Sequence, residues 1–236
     1  MATVYALICW CGKNGKTVTF TDAGDVVNLA SHGIRSGYPM PLVFTDNGNT
    51  LPTGLAKNTT YYGAIGADGG KFLLYPTNAD AIAGTNQVTF TGAGSGTHKV
   101  KSAYYYDLSS VSRWTLGGTE HVYDSLTAMV SGFSSAIDST YDAVAEIVGQ
   151  WDDVATSGAS ITSVCNTLLV TTLVNGSRST AFHDRLFGTG YRVYSTNTSQ
   201  GCVTAQSYGI TLDGFEITYG GATNNRKDDK ATPGMS

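Results

Sequence analysis

The sequence predicts a mainly β protein. A small N-terminal β-sandwich or barrel domain is followed by a short parallel β-helix-like or β-sandwich C-terminal domain with one or two short helices. Three observations carry this expectation. Only 14% of the 236 residues are charged, against about 25% in ordinary globular chains. The 29 Gly, 32 Thr and 21 Ser together form a large share of the chain, which suits strands joined by tight turns. The hydrophobic fraction is 41%, with 14 Tyr, too rich for a disordered chain. The net charge of −4 argues against a nucleic-acid partner, which calls for a basic surface. No apolar run approaches the ~18 residues that would span a membrane. The opening MATVYALICWCG lacks the basic n-region and small-residue cleavage site of a secretory signal. Sparse charge carries one further expectation, that much of the surface is covered in an assembly.

The chain divides into residues 1–101 as an N-terminal β module, 102–122 as a connector, 123–221 as a β-helix-like domain and 222–236 as a polar tail. Residues 1–22 read as strand material, and in Lys16 to Thr21 the apolar Val18 and Phe20 alternate with Thr, the period of a half-buried strand. Short β runs follow at DVVNLA, PLVFT, TTYYGAI, KFLLY and QVTFT, separated by Gly, Asn and Asp turns. In the connector, Tyr104, Tyr105 and Tyr106 read as a strand presenting rings to both faces. With Trp114 they are the candidate interface residues. Next, Asp124 is placed to N-cap a helix whose Leu126, Met129, Val130 and Phe133 share one face. Tyr141 to Trp151 fits helix or strand. Beyond residue 157 the pattern is β again. Leu169, Tyr191 and Leu212 mark apolar segments 21–22 residues apart, close to one coil of a parallel β-helix. The tail NNRKDDKATPGMS reads as frayed or partner-bound.

Four motifs recur in order between Val27 and Val100: His32-Gly33-Ile34-Arg35-Ser36-Gly37, Leu51-Pro52-Thr53-Gly54-Leu55, Thr60-Tyr61-Tyr62 and Gly94-Ser95-Gly96-Thr97-His98. This series resembles a small β module used in structural proteins of tailed-bacteriophage virions. The run from Tyr123 to about Gly220 looks like the opening of a right-handed β-helix of phage and related surface proteins. It is carried by Tyr123 to Leu126, His183, Gly188 to Val193 and Ile210 to Ile217. The resemblance implies a virion component assembled in the bacterial host cytoplasm, a capsid decoration, cement or fibre protein. It would work as a homo-oligomer, expected to be a homotrimer, alongside capsid or tail proteins. The alternative is a tail fibre or spike adhesin binding host glycans through exposed Tyr and Trp, with Trp114 and Tyr105 in that role.

Read residue by residue, Gly33, Gly37 and Gly54 suit turns needing positive φ. Pro52 sets the turn before Gly54, and Tyr61 and Tyr62 place one ring on each face of a strand. His32 and His98 read as hydrogen-bonded structural histidines closing the two ends of the module. Trp10 and Trp151 read as core or interface residues. Chemistry is expected nowhere, and the protein is read as a non-enzyme. Asp213 and Glu216, with Asp184 a coil earlier, are the nearest approach to paired carboxylates but read as a solvated turn and strand face. Cys9, Cys11, Cys165 and Cys202 lack zinc-knuckle spacing and read as buried thiols, with a disulfide between two of them left open. No cofactor and no metal are expected.

Overall fold

The computed structural model describes residues 1–45, 48–66, 69–108, 112–133, 135–155, 159–161, 165–174, 177–178, 192–195, 203–205, 209–212 and 216–219. Strand β1 (Ala2–Cys9) opens the chain. The turn that follows is bent by positive φ at Cys11, Gly12 and Gly15. Six strands then come in succession: β2 (Lys16–Thr21), β3 (Val26–Asn28), β4 (Met40–Thr45), β5 (Thr60–Ile65), β6 (Lys71–Tyr75) and β7 (His98–Ser102). All their pairings are antiparallel. In the order β2-β3-β6-β5-β4-β7 they close into a barrel.

Period-2 alternation fills that barrel. Val18, Phe20, Val27, Leu42, Phe44, Tyr61, Phe72, Leu74 and Val100 all point inward and are buried. Phe20 is the hub, meeting Phe44, Phe90 and His98 edge-on at centroid distances of 5.3, 5.5 and 5.2 Å, a geometry aromatic quadrupoles favour. Helix α1 (Asn78–Ala83) sits between β6 and β7. Thr77 caps it by accepting from the Asp80 amide, and Gly84 ends it in the left-handed region. The run Gln87 to Thr91, expected as a strand, lies outside the barrel order. It pairs through a single bridge, Thr53 with Thr91.

From the barrel the chain returns through α2 (Ala103–Leu108), a 3₁₀ turn (Ser112–Trp114), a small hairpin of β8 (Thr115–Leu116) and β9 (Thr119–Glu120), then β10 (Val122–Tyr123) and α3 (Leu126–Phe133). Tyr104 to Tyr106 therefore lie on a helix and not on the expected strand. Tertiary contacts override the β propensity of Tyr here, because α2 packs on β4 and β7 and buries Tyr105. The cap of α3 also differs from expectation. Ser125, not Asp124, accepts from the Ala128 amide, the buried Asp153 carboxylate accepts from the Leu126 amide at 2.8 Å, and Asp124 instead pairs with Lys16 at 3.3 Å.

The remaining strands are β11 (Tyr141–Val148), β12 (Asp152–Ala155), β13 (Ala159–Ile161), β14 (Thr167–Val174), β15 (Ser177–Arg178), β16 (Arg192–Ser195), β17 (Val203–Ala205), β18 (Ile210–Leu212) and β19 (Glu216–Tyr219). A parallel sheet runs β10-β1-β11-β14, with β18 parallel to β14 and β15 forming a hairpin with it. β12, β16 and β19 form a second parallel set, and β13 and β17 a third. The N-terminal strand thus belongs to the parallel sheet. It was expected in the module 1–101, but its eight residues pair in register with β11, from Ala2 with Tyr141 to Cys9 with Val148. The barrel is an insertion between β1 and β10.

The expected repeat of 21–22 residues does not hold. Arg192 to Ser195, just after Tyr191, pair with β12 and β19 rather than with the set containing Leu169 and Leu212. Leu169 and Leu212 lie on directly adjacent strands, where Val170 pairs with Leu212. The step from Asp142 to Thr167 is short and that from Leu168 to Ile210 is long, so the steps are unequal. One hydrophobic core joins the barrel to the inner face of the sheet. Trp10 bridges the two regions. Its ring meets Phe72 at 6.3 Å, and its Nε1 donates to the His32 carbonyl at 2.6 Å.

Candidate functional site

The parallel sheet has two faces, and the connector covers the outer one. On β1 the outward side chains are Tyr5, Leu7 and Cys9, and on β11 they include Glu146 and Val148, because successive side chains in a strand alternate. Leu7, Cys9 and Val148 form a second apolar cluster with Tyr105, Trp114 and Val122, and Tyr5 and Tyr104 pack at its margin. Trp114 is only 1% exposed. Its indole Nε1 donates to Glu146 Oε2 at 2.7 Å, and Arg113 Nη2 meets the same oxygen at 2.7 Å. The Arg113 guanidinium also lies 5.0 Å from the Trp114 ring and 5.8 Å from that of Tyr5, both within cation–π range.

This explains the one charge in the apolar run YDAVAEIV that lies inside the sheet. Burying a carboxylate costs several kcal/mol unless it is paired and hydrogen-bonded, and Glu146 is both. It fixes which turn of the connector sits on which strand. Alongside it, the Tyr105 hydroxyl donates to Glu120 at 3.0 Å, and Lys13 pairs with Glu120 at 3.6 Å. Burial first, then the bond to Glu120, pushes the Tyr105 hydroxyl pKa far up. Backbone bonds complete the attachment: the His121 amide donates to Trp114 O at 2.7 Å, and the Leu7 amide donates to His121 O at 2.9 Å.

Of the four expected interface residues, Trp114 and Tyr105 are buried within the chain, with their polar atoms bonded to Glu146 and Glu120. Tyr104 is half-buried, with its ring edge placed near Gly149, and Tyr106 is 38% exposed. Sequence reasoning did not single out Arg113, Glu146, His121 or Asp153. A lone Glu within an apolar strand was the available signal for one of them.

The motif residues of the barrel interlock near its ends. The His32 ring is 4% exposed. Its Nδ1 accepts from the Ile34 amide at 3.0 Å, and Nε2 donates to the Lys71 carbonyl at 3.1 Å, so it is a neutral, bonded histidine. His98 differs from expectation. It is 3% exposed and packs on Phe20, but neither ring nitrogen has a hydrogen-bond partner. Gly94 lies directly over that ring, where an added Cβ would come within 2.9 Å of Nε2. Gly54 has φ +105, and an added Cβ would stand 2.6 Å from the Thr89 carbonyl, so both its conformation and its space call for glycine. Leu51 and Pro52 are buried beside it, and the Tyr61 hydroxyl accepts from the Ala56 amide at 2.9 Å. Tyr62 is half-buried. Gly33, Gly37 and Gly96 all have positive φ, and Asn49 occupies the space beside Gly96 and donates to the Thr97 carbonyl at 2.8 Å.

Cys9 and Cys11 are free thiols, and burial pushes both well above the usual range, which makes them poor nucleophiles. Cys165 is buried, and its Sγ donates to the Thr167 carbonyl at 3.1 Å. Trp10 and Trp151 are each 2% exposed. Glu216 lies on β19 in register with Arg192. Asp184, His183, Cys202, Asp213 and the polar tail lie outside the described residues. Among the described residues, no group of three or more His, Cys, Asp or Glu is arranged to hold a metal ion, and no helix is long and apolar enough to cross a membrane. Compared with family models, curated proteins and solved structures, the chain finds no match.

Proposed function

We propose that the chain is a structural component of a bacteriophage virion, a capsid decoration, cement or fibre protein that acts as a homo-oligomer, a homotrimer by expectation. The observation that carries the reading is the way the four motifs are used. Their glycines and buried histidines interlock the barrel's loops, so the motif series is a recipe for a rigid building block. That is the use the resembling module has in virions. The parallel sets support a finer reading of the second region as the start of a parallel β-helix, with β11, β12 and β13 as one coil and β14, β16 and β17 as the next. α3 packs against β1, β10 and β13 and takes its cap from Asp153 on β12. It therefore covers the first coil at the end where the barrel departs. The experiment is to locate the chain on intact particles by electron microscopy with a labelled copy. Density at symmetric surface positions supports the proposal, and particles devoid of the label overturn it.

The adhesin reading loses two of its residues, since Trp114 and Tyr105 are buried. It would have to rest on Tyr106 and the partly exposed Tyr62 and Tyr104.

A further inference from the structure

We propose that His121 is an acid-sensitive latch that holds the connector against the outer face of the parallel sheet and loosens it as the medium acidifies. His121 stands at the point of attachment. Its amide and carbonyl link Trp114 on one side to Leu7 of β1 on the other. Its imidazole is 4% exposed and lies against the Phe133 ring of α3 at 5.1 Å. Nδ1 is 3.0 Å from the Tyr123 hydroxyl, and Nε2 has no hydrogen-bond partner. A charged imidazolium carries two N–H donors and needs two acceptors. Here Nδ1 has the Tyr123 hydroxyl, Nε2 makes no hydrogen bond, and the Leu116 backbone is the one further polar group that favours the charged ring, only partly offsetting its burial.

The surrounding charges do not rescue the cation. From the turn after β1 comes Lys13, of like sign. From β9 comes Glu120, already engaged by Lys13 and by the Tyr105 hydroxyl. β10 supplies Tyr123, whose hydroxyl pKa is raised by burial, so it stays neutral. β1 and α3 carry no charged side chain. From the 3₁₀ turn, Arg113 is paired with Glu146, and Asp124 is paired with Lys16. Burial first, and Lys13 second, hold the His121 pKa below its ordinary value, with the Leu116 backbone offsetting part of this. A folded pKa below the unfolded one means that the unlatched state binds the proton more readily. The latch is at full strength above about pH 6.5 and weakens as pH falls below it. A single proton can shift the opening equilibrium by at most about tenfold per pH unit. Opening would uncover Leu7, Cys9 and Val148, an apolar surface that the connector otherwise covers.

The test is amide hydrogen exchange on the full chain between pH 7.5 and 5, corrected for the intrinsic rate, comparing peptides from residues 112–123 with peptides from the barrel. The expected result is a connector that loses several-fold more protection than the barrel, and a His121→Gln variant in which this excess vanishes. Unchanged connector protection in the wild type overturns the proposal, and so does an equal loss in the variant. Should His121→Gln fail to fold, the imidazole of the wild-type protein can be titrated by NMR. A midpoint below about 6.5 supports the latch, and a midpoint at or above it overturns it.

Discussion

The barrel and the parallel sheet solve the same problem in opposite ways. The barrel closes on itself, so β2 to β7 leave no free edge, and it meets the rest of the fold through the core it shares at Trp10. The sheet has two edges and two faces. It borrows β10 for one edge, α3 for an end and the connector for its outer face. Satisfaction is local in the first region and delivered by distant sequence in the second. A damaged barrel should therefore fail by itself, whereas the sheet should fail when its coverings are damaged.

Trp114→Ala tests this difference most severely. It opens a large cavity and removes one of the donors to Glu146, so it should cost about 4 kcal/mol, read by urea denaturation, with exchange protection lost along β1 and β11 and kept in the barrel. Equal loss in both regions would erase the distinction. Glu146→Ala should cost about 3 kcal/mol, because it strands the indole N–H and weakens the Arg113 attachment. Glu146→Gln should cost less, since an amide oxygen can still accept from the indole. Gly54→Ala is the barrel's counterpart. Positive φ and the close Thr89 carbonyl should cost about 2 kcal/mol, with the protection lost from β4 to β7 only. At Gly37, where an added Cβ meets nothing within 4 Å, only the conformational penalty of about 1 kcal/mol remains, which a thermal melt can resolve.

The smallest effect concerns a corner of the sheet. The Asp142 carboxyl accepts from Asn166 Nδ2 at 2.9 Å and from Thr167 Oγ1 at 2.7 Å. These bonds hold its pKa below the usual carboxylate range. A lowered folded pKa gives stability that is present above the unfolded value of about 3.9 and is lost as pH falls through the folded one. Asn166→Ala should move the Asp142 titration upward by NMR and leave stability at neutral pH almost unchanged.

What could be read from the sequence follows the same division. Most barrel strands are buried on one side, β2 most clearly, so Val18 and Phe20 alternate visibly with Thr, and the antiparallel module was legible, although β4 is buried on both faces. β1 and β11 are covered on both sides. ALIC and AVAEIV therefore show no period, and periodicity could neither assign β1 to a sheet nor tell strand from helix at β11. The tyrosine triplet misled because propensity favours strands, while Tyr105 is positioned by Glu120 across the fold. Leu169, Tyr191 and Leu212 misled because even spacing in sequence does not mean one sheet. The step between β14 and β18 is long, and the apolar segment within it belongs to another set. Glu146 and His121 became meaningful only with their partners, which are fixed by packing rather than by spacing.

The insertion of the barrel between β1 and β10 also sets an order of events during synthesis. β1 leaves the ribosome ahead of the barrel, yet Cys9 cannot meet Val148 until the whole barrel and connector have been made. The barrel's residues 16–102 are complete long before that, so it can fold while the strand ahead of it stays unpaired. Pairing between segments so far apart is slow, and a waiting apolar strand is open to wrong partners. The interval between the emergence of Cys9 and that of Val148 is the vulnerable period in this chain's production. Conditions that slow translation across residues 103–148 should raise the misassembled fraction without altering the finished protein.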